Sequence, residues 1–89
     1  MEILFSETAW KQYLNWQNED QKILNRINDL LKSIQRDPFR GIGKPEPLKQ
    51  NLKGFWSRRI NSEHRLVYKV IGKKGEGQRI EVLSCQFHY

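Results

Sequence analysis

The fold of this chain turns on residues 55–87, FWSRRINSEHRLVYKVIGKKGEGQRIEVLSCQF. Three runs rich in aromatic and β-branched residues, FWSRRI, HRLVYKVI and QRIEVLSCQF, are separated by Asn61-Ser62-Glu63 and by the glycine-rich stretch Gly72 to Gly77, which predicts strands joined by two hairpin connections. Successive side chains of a strand point to opposite faces. Leu66, Tyr68 and Val70 therefore share one face, and Arg65, Val67 and Lys69 the other, so one face reads as core and the other as basic. In the last run Leu83, Cys85 and Phe87 are expected to point together, opposite Ser84, Gln86 and His88. Arg59 opposes Ile60 by the same rule. Period two thus allows Arg59, Arg65 and His88 to converge on the solvent side of one sheet, with the register between strands left open.

Upstream, the periodicity changes. Glu2 to Phe5 (EILF) reads as a short strand, and Ser6 is placed to cap a helix that runs to about Gln17, with Glu7 favourable in its first turn. Trp10, Tyr13, Leu14 and Ala9 supply an apolar stripe, which Trp16 extends unless it marks an interface. Asn18, followed three residues later by Gln21, suggests a variant capping box before a second helix with Ile23, Ile27, Leu30, Leu31 and Ile34 on one side. Asp37-Pro38 ends that helix, because the residue before proline is pushed out of the helical region. Residues 38–54 hold all three prolines and three of the six glycines, and read as a shaped loop in which Phe39, Leu48 and Leu52 pack down and Pro45 and Pro47 stiffen the chain around Glu46. The order strand, helix, helix, strand, strand, strand predicts an α+β domain: a small, mostly antiparallel sheet packed against two N-terminal helices.

Eighty-nine residues suffice for one domain, expected to span residues 1–89, and ten aromatics (three Trp, three Tyr, four Phe) can supply its core. No apolar run approaches the roughly 18 residues of a membrane span, and the opening MEILFSETAW lacks a signal-peptide pattern, so a cytoplasmic protein with no membrane partner is expected. One cysteine, Cys85, excludes an intramolecular disulfide and a cysteine-based zinc cage, and two histidines argue against a metal enzyme. The net charge of +6 is unevenly spread. Residues 1–36 carry five basic and five acidic side chains, whereas residues 37–89 carry eleven against five. The strand half therefore builds a positive surface suited to an anionic partner, nucleic acid or an acidic protein.

A histidine, a cationic cluster and a carboxylate on a stiff loop are the groups needed to cleave RNA without a metal or cofactor. The substrate's 2′-hydroxyl is the nucleophile; a base takes its proton, a cation stabilises the phosphorane, and an acid protonates the departing 5′-oxygen. Glu46, Arg65 and His88 are the candidates. The same residues admit a plainer account, in which Glu46 is a solvated turn residue, Arg58, Arg59 and Arg65 protect a strand edge, and His88 belongs to a frayed end. Trp10, Tyr13 and Trp56 read as core or interface, and Cys85 as structural.

The stretch GKPEPLKQNLKGFWSRRINSEHRLVY (residues 43–68), the ending CQFHY and the opening FSETAWKQYLNWQNED closely resemble the YoeB toxins of bacterial toxin–antitoxin pairs, within the RelE superfamily. The resemblance covers nearly the whole chain. It implies a microbial-ribonuclease-like (RelE-type) fold and a ribosome-dependent endoribonuclease that cuts messenger RNA in the A site and arrests translation. In that family pattern Glu46 is the general base, His88 the general acid and Arg65 the group that stabilises the phosphorane, while Lys49 and Arg59 hold phosphate and Tyr89 supports the substrate or orients His88. The implied partners are a YefM-like antitoxin, whose acidic C-terminal segment folds over the basic face, and the bacterial ribosome with its mRNA. A homodimer is left open, with Trp10 or Trp16 as candidate interface residues. The segment IGKKGEGQRIEV is longer and more basic than the family leads one to expect, which makes Lys73, Lys74 and Arg79 candidates for ribosomal RNA contacts. The competing function is a toxin that binds ribosome or gyrase without cutting.

Overall fold

A computed structural model describes residues 1–87. Its elements follow the expected order: β1 (Glu2–Phe5), α1 (Glu7–Glu19), α2 (Gln21–Arg36), β2 (Glu46–Pro47), a 3₁₀ turn (Gln50–Leu52), β3 (Trp56–Arg59), β4 (Arg65–Ile71) and β5 (Arg79–Ser84). The strands form one sheet in the order β1-β5-β4-β3-β2. β3, β4 and β5 are antiparallel neighbours, and β1 joins the far edge parallel to β5 through the crossover made by the two helices and the segments that follow them. The result is the expected α+β architecture, two helices on a mostly antiparallel sheet.

Both helix starts are capped, and one cap differs from the expectation. Ser6 Oγ accepts the Ala9 N–H at 3.0 Å and its hydroxyl donates to the Leu83 carbonyl at 2.9 Å, so one side chain closes α1 and ties it to β5. At the second helix the cap is Asp20, not Asn18: its carboxylate accepts from the N–H groups of Lys22 and Ile23. Helix α1 runs through Glu19, which leaves Asn18 inside it. The Asp20 cap satisfies two of the four amides that a helix start leaves unpaired. At the other end of α2, Asp37 closes the helix just before Pro38, as the sequence predicts.

Leu24, Ile27, Leu30, Leu31 and Ile34 of α2 are buried in one cluster with Leu66, Tyr68, Ile80 and Val82 of the sheet. Helix α1 buries only part of the expected stripe, with Tyr13 packed partly buried against the core. Ala9 and Trp16, seven residues apart, are inside, while Trp10 is 47% exposed and Leu14 lies at the surface. Trp16 is 6% exposed and its indole N–H donates to the Cys85 carbonyl at 2.9 Å, which removes it from the candidate dimer interface. Trp10 stays outside, stacked on Tyr13 at 5.8 Å and edge-on to Phe5.

The last strand departs most from simple alternation. Val67 pairs with Ser84 but Tyr68 pairs with Val82, so Leu83 is an extra residue, a bulge that shifts side-chain parity. Ile80, Val82 and Cys85 consequently face inward, while Leu83 is 36% exposed and Phe87 59%. The grouping of Leu83, Cys85 and Phe87 on one face is thus overturned by one inserted residue.

Candidate functional site

Register decides which charged side chains meet. Arg59 of β3 pairs directly with Arg65 of β4, Ser57 with Val67 two residues along, and Glu46 of β2 with Ser57. By the pleat these five residues share one face of the sheet, the one turned away from the cluster built on Leu66 and Tyr68. Residues 46–47 are thus a short edge strand rather than only a stiffened loop, and Pro47 is tolerated there because an edge position need not supply a ladder N–H. Ser57 and Val67 are both buried and form the floor between Glu46 and the arginine pair. The expectation that this face is simply basic is corrected by Val67, which is fully buried on it.

Like charges directly opposed across strands are destabilising. Among the described residues neither Arg59 nor Arg65 is paired with a carboxylate. An uncompensated cross-strand arginine pair is a poor choice for stability and a good one for gripping an anion. The Arg65 Nη1 donates to the carbonyls of Asn61 at 2.8 Å and His64 at 3.1 Å, which aims the guanidinium from the turn without neutralising it. That turn is held in shape by Asn61, whose side-chain oxygen accepts the N–H groups of Glu63 and His64. Lys49 is exposed at the start of the 3₁₀ turn, in the segment that carries Glu46. His88 and Tyr89 lie outside the described residues. The described chain ends beside Arg65, whose N–H donates to the Phe87 carbonyl at 3.0 Å.

The opposite face of β3 holds a residue whose role the sequence reading did not foresee. Arg58 is fully buried. Its Nε donates to Tyr68 Oη at 3.1 Å, Nη1 to Ser33 Oγ and the Ile42 carbonyl, and Nη2 to the carbonyls of Asp37 and Arg40. Five acceptors meet the five donors of a guanidinium, and none of them is a carboxylate. Tyr68 Oη in turn donates to the Pro38 carbonyl at 2.5 Å. Burial raises the Tyr68 phenol above its ordinary pKa, and the Arg58 hydrogen bond and charge oppose that rise. Arg58 thereby ties the loop after α2 to the sheet, and that loop leads into Glu46. Gly43 completes the tie: at φ +84, with its carbonyl accepting the Arg59 N–H at 2.7 Å, it leaves no room for a Cβ, which would meet Leu30 Cδ2 at 2.7 Å. A signal was available in the parity of Trp56, Arg58 and Ile60, which places the arginine on the apolar side of β3.

The remaining candidates lie elsewhere. Lys73 and Lys74 are exposed in the β4–β5 connection, far along the sheet from Arg65. Arg79 is engaged with Glu81 at 3.3 Å. Cys85 is buried, and desolvation pushes its thiol up to about 12, which makes it a poor nucleophile. Among the described residues no helix is long and apolar enough to cross a membrane, and no three His, Cys, Asp or Glu side chains are grouped to hold a metal ion.

Two helices on a five-stranded, mostly antiparallel sheet place the chain in the fold class of the small toxins of bacterial toxin–antitoxin systems. The model of the YoeB-like toxin of bacterial type II toxin–antitoxin systems matches residues 5–89, and the chain belongs to that family. It is 57% identical to Toxin YoeB of Synechocystis sp. over 100% of this chain and 98% of that protein. A YoeB/ParE toxin from Agrobacterium tumefaciens superposes with a TM-score of 0.94 at 48% identity, with both chains fully covered. YoeB from Staphylococcus aureus, solved as a dimer and as a YoeB–YefM complex, superposes with a TM-score of 0.87 in each case at 49% and 48% identity, over 100% of this chain and 98% of that one.

Proposed function

We propose that this chain is a single-domain cytoplasmic endoribonuclease that cleaves messenger RNA in the ribosomal A site and so arrests translation. The observation that carries the reading is the sheet register, in which Glu46 and the Arg59–Arg65 pair share one face over a buried floor. Glu46, exposed at the sheet edge, takes the proton of the 2′-hydroxyl, whose oxygen attacks the adjacent phosphorus. Arg65 and Arg59 stabilise the charge of the phosphorane. His88 donates a proton to the 5′-oxygen as the phosphorus–oxygen bond breaks, leaving a 5′-hydroxyl on one fragment and a 2′,3′-cyclic phosphate on the other. Lys49 and Tyr89 hold the substrate. A placed acid and a placed base each contribute about 10²- to 10⁴-fold, so the chemistry needs no further cofactor.

An acidic partner fits the same face, and the YoeB–YefM complex of the S. aureus relative supports a YefM-like antitoxin as the neutralising protein. The dimer of that relative supports a homodimer here, with Trp10 as the surviving interface candidate. The test is to add the purified chain to ribosomes translating one defined message and map new 5′ ends by primer extension, beside Glu46→Gln and His88→Ala proteins. Cuts within the A-site codon that vanish in both variants are expected. Arrest without new ends refutes the nuclease reading and leaves a ribosome-binding inhibitor; DNA breaks with intact message point to gyrase.

A further inference from the structure

The residue that holds the end of the described chain is one to which neither the acid–base chemistry nor the family pattern gives a part. His64 is 6% exposed, in the turn between β3 and β4. Its Nδ1 accepts the Phe87 N–H at 2.7 Å. To accept, Nδ1 must be unprotonated, so the ring proton lies on Nε2, which faces the Glu63 carboxylate at 3.9 Å. Trp16 packs edge-on against the imidazole at 4.9 Å between ring centres.

Phe87 is fixed at both ends of its residue, since its carbonyl accepts the Arg65 N–H at 3.0 Å while His64 takes its N–H. It also stands at φ +64, a left-handed conformation that a non-glycine residue keeps only when its surroundings over-determine it. The preceding peptides are held as well: the Cys85 N–H donates to Gln12 Oε1 at 2.7 Å, and the Cys85 carbonyl accepts the Trp16 indole N–H at 2.9 Å. Side chains from α1 and from the β3–β4 turn thus grip three peptide groups in succession. The last grip, and the only one of the three made by an ionisable side chain, is on the residue that precedes residue 88.

We propose that His64 is a positioning residue: by accepting the Phe87 N–H at Nδ1, it sets the backbone that leads into residue 88, the proposed acid. This rests on the nuclease reading. His64 never touches RNA in this account, and its contribution is geometric. A displacement of about 1 Å in a catalytic group can cost on the order of 10²-fold in rate.

Three variants and one chemical substitution test the inference. His64→Leu removes the acceptor at similar volume, and His64→Asn restores an acceptor near the Nδ1 position. His88→Ala reports whether residue 88 matters at all. Because Cys85 is a natural ligation point, residues 85–89 can be supplied as a synthetic peptide in which the Phe87 amide is replaced by an ester, removing the N–H donor while leaving His64 intact. The readouts are single-turnover cleavage of message on saturating ribosomes, ribosome affinity, and the through-hydrogen-bond ¹⁵N–¹⁵N coupling between His64 Nδ1 and Phe87 N in the wild-type protein.

The coupling is expected to be present. His64→Leu and the ester protein should lose about a hundredfold in cleavage rate with affinity within twofold of wild type, His64→Asn should recover most of the rate, and His64→Leu should add nothing in a His88→Ala background. If His88→Ala is inactive while the ester protein cuts at full rate, the nuclease reading stands and the positioning role falls. Loss of rate to the same degree in His64→Asn and His64→Leu, or absence of the coupling, also overturns it. If His88→Ala cuts normally, the reading of His88 as the acid fails, and the positioning role with it. Should His64→Leu fail to fold, the ester protein and the coupling decide the question.

Discussion

Replacing Arg58 with Met removes a fully buried guanidinium and keeps most of its apolar stem. Five hydrogen bonds are lost together, to Tyr68 Oη, Ser33 Oγ and the carbonyls of Asp37, Arg40 and Ile42. A hydrogen bond contributes about 0.5–1.5 kcal/mol net, and an acceptor left buried without a partner costs about 1–3 kcal/mol. The three carbonyls belong to the loop after α2 and can regain water once it loosens, whereas Tyr68 Oη keeps its bond to Pro38. The loss therefore falls near the low end of the sum, about 3–5 kcal/mol. For 89 residues the entropy of unfolding is about 0.19 kcal/mol/K, so the melting temperature should fall by about 15–25 °C. Arg58→Lys keeps the charge but offers three donors without the planar fork, and should recover only part of the loss. Thermal denaturation followed by circular dichroism measures both. A Met variant within about 1 kcal/mol of wild type would show that the five bonds merely balance the desolvation of the cation.

Other outcomes follow from the same geometry. Asp20→Ala should cost about 1 kcal/mol in urea denaturation and Asn18→Ala close to nothing, because the carboxylate at 20 caps α2; the reverse ranking would refute the assignment of the cap. Burial holds the Cys85 thiol neutral in the folded protein up to about 12 against an ordinary value of 9.0, so its contribution is complete well below pH 9 and declines as the unfolded state ionises. By pH 10 that decline is on the order of 1.4 kcal/mol relative to Cys85→Ala, measurable in reducing urea titrations, and parallel pH profiles for the two proteins would contradict it. Gly43→Ala should destabilise the fold, since a Cβ there meets Leu30 and the backbone stands at positive φ, and a melting temperature equal to wild type would contradict that. Changing Lys73, Lys74 and Arg79 together to Ala should lower the salt slope of ribosome binding by about 2–3, and an unchanged slope would dismiss that loop as an RNA contact.

What was legible in the residues by themselves was local. The Ser6 cap, the α2 stripe from Ile27 to Ile34, the stop at Asp37-Pro38 and the strands on either side of Asn61 to Glu63 each depend on interactions within a few residues, which sequence spacing records directly. The tight turn at Asn61 also made it possible to place Arg59 near Arg65, and candidates on the exposed face could be named from residue type and motif. The family followed from the same motifs.

Tertiary structure decided everything that depends on partners far apart in the chain. Which side of α1 is buried was settled by the sheet it docks on, so Trp16 went in and Trp10 stayed out although both are apolar residues of the same helix. The bulge at Leu83 reversed the parity of the chain leading to Cys85, since a strand's alternation counts residues and cannot report an inserted one. Arg58 and His64 look in sequence like two more polar residues of a basic stretch. Most of their partners, the carbonyls of residues 37–42 for one and the amide of Phe87 for the other, are backbone groups with no side-chain signature, and only folding brings them within hydrogen-bond reach.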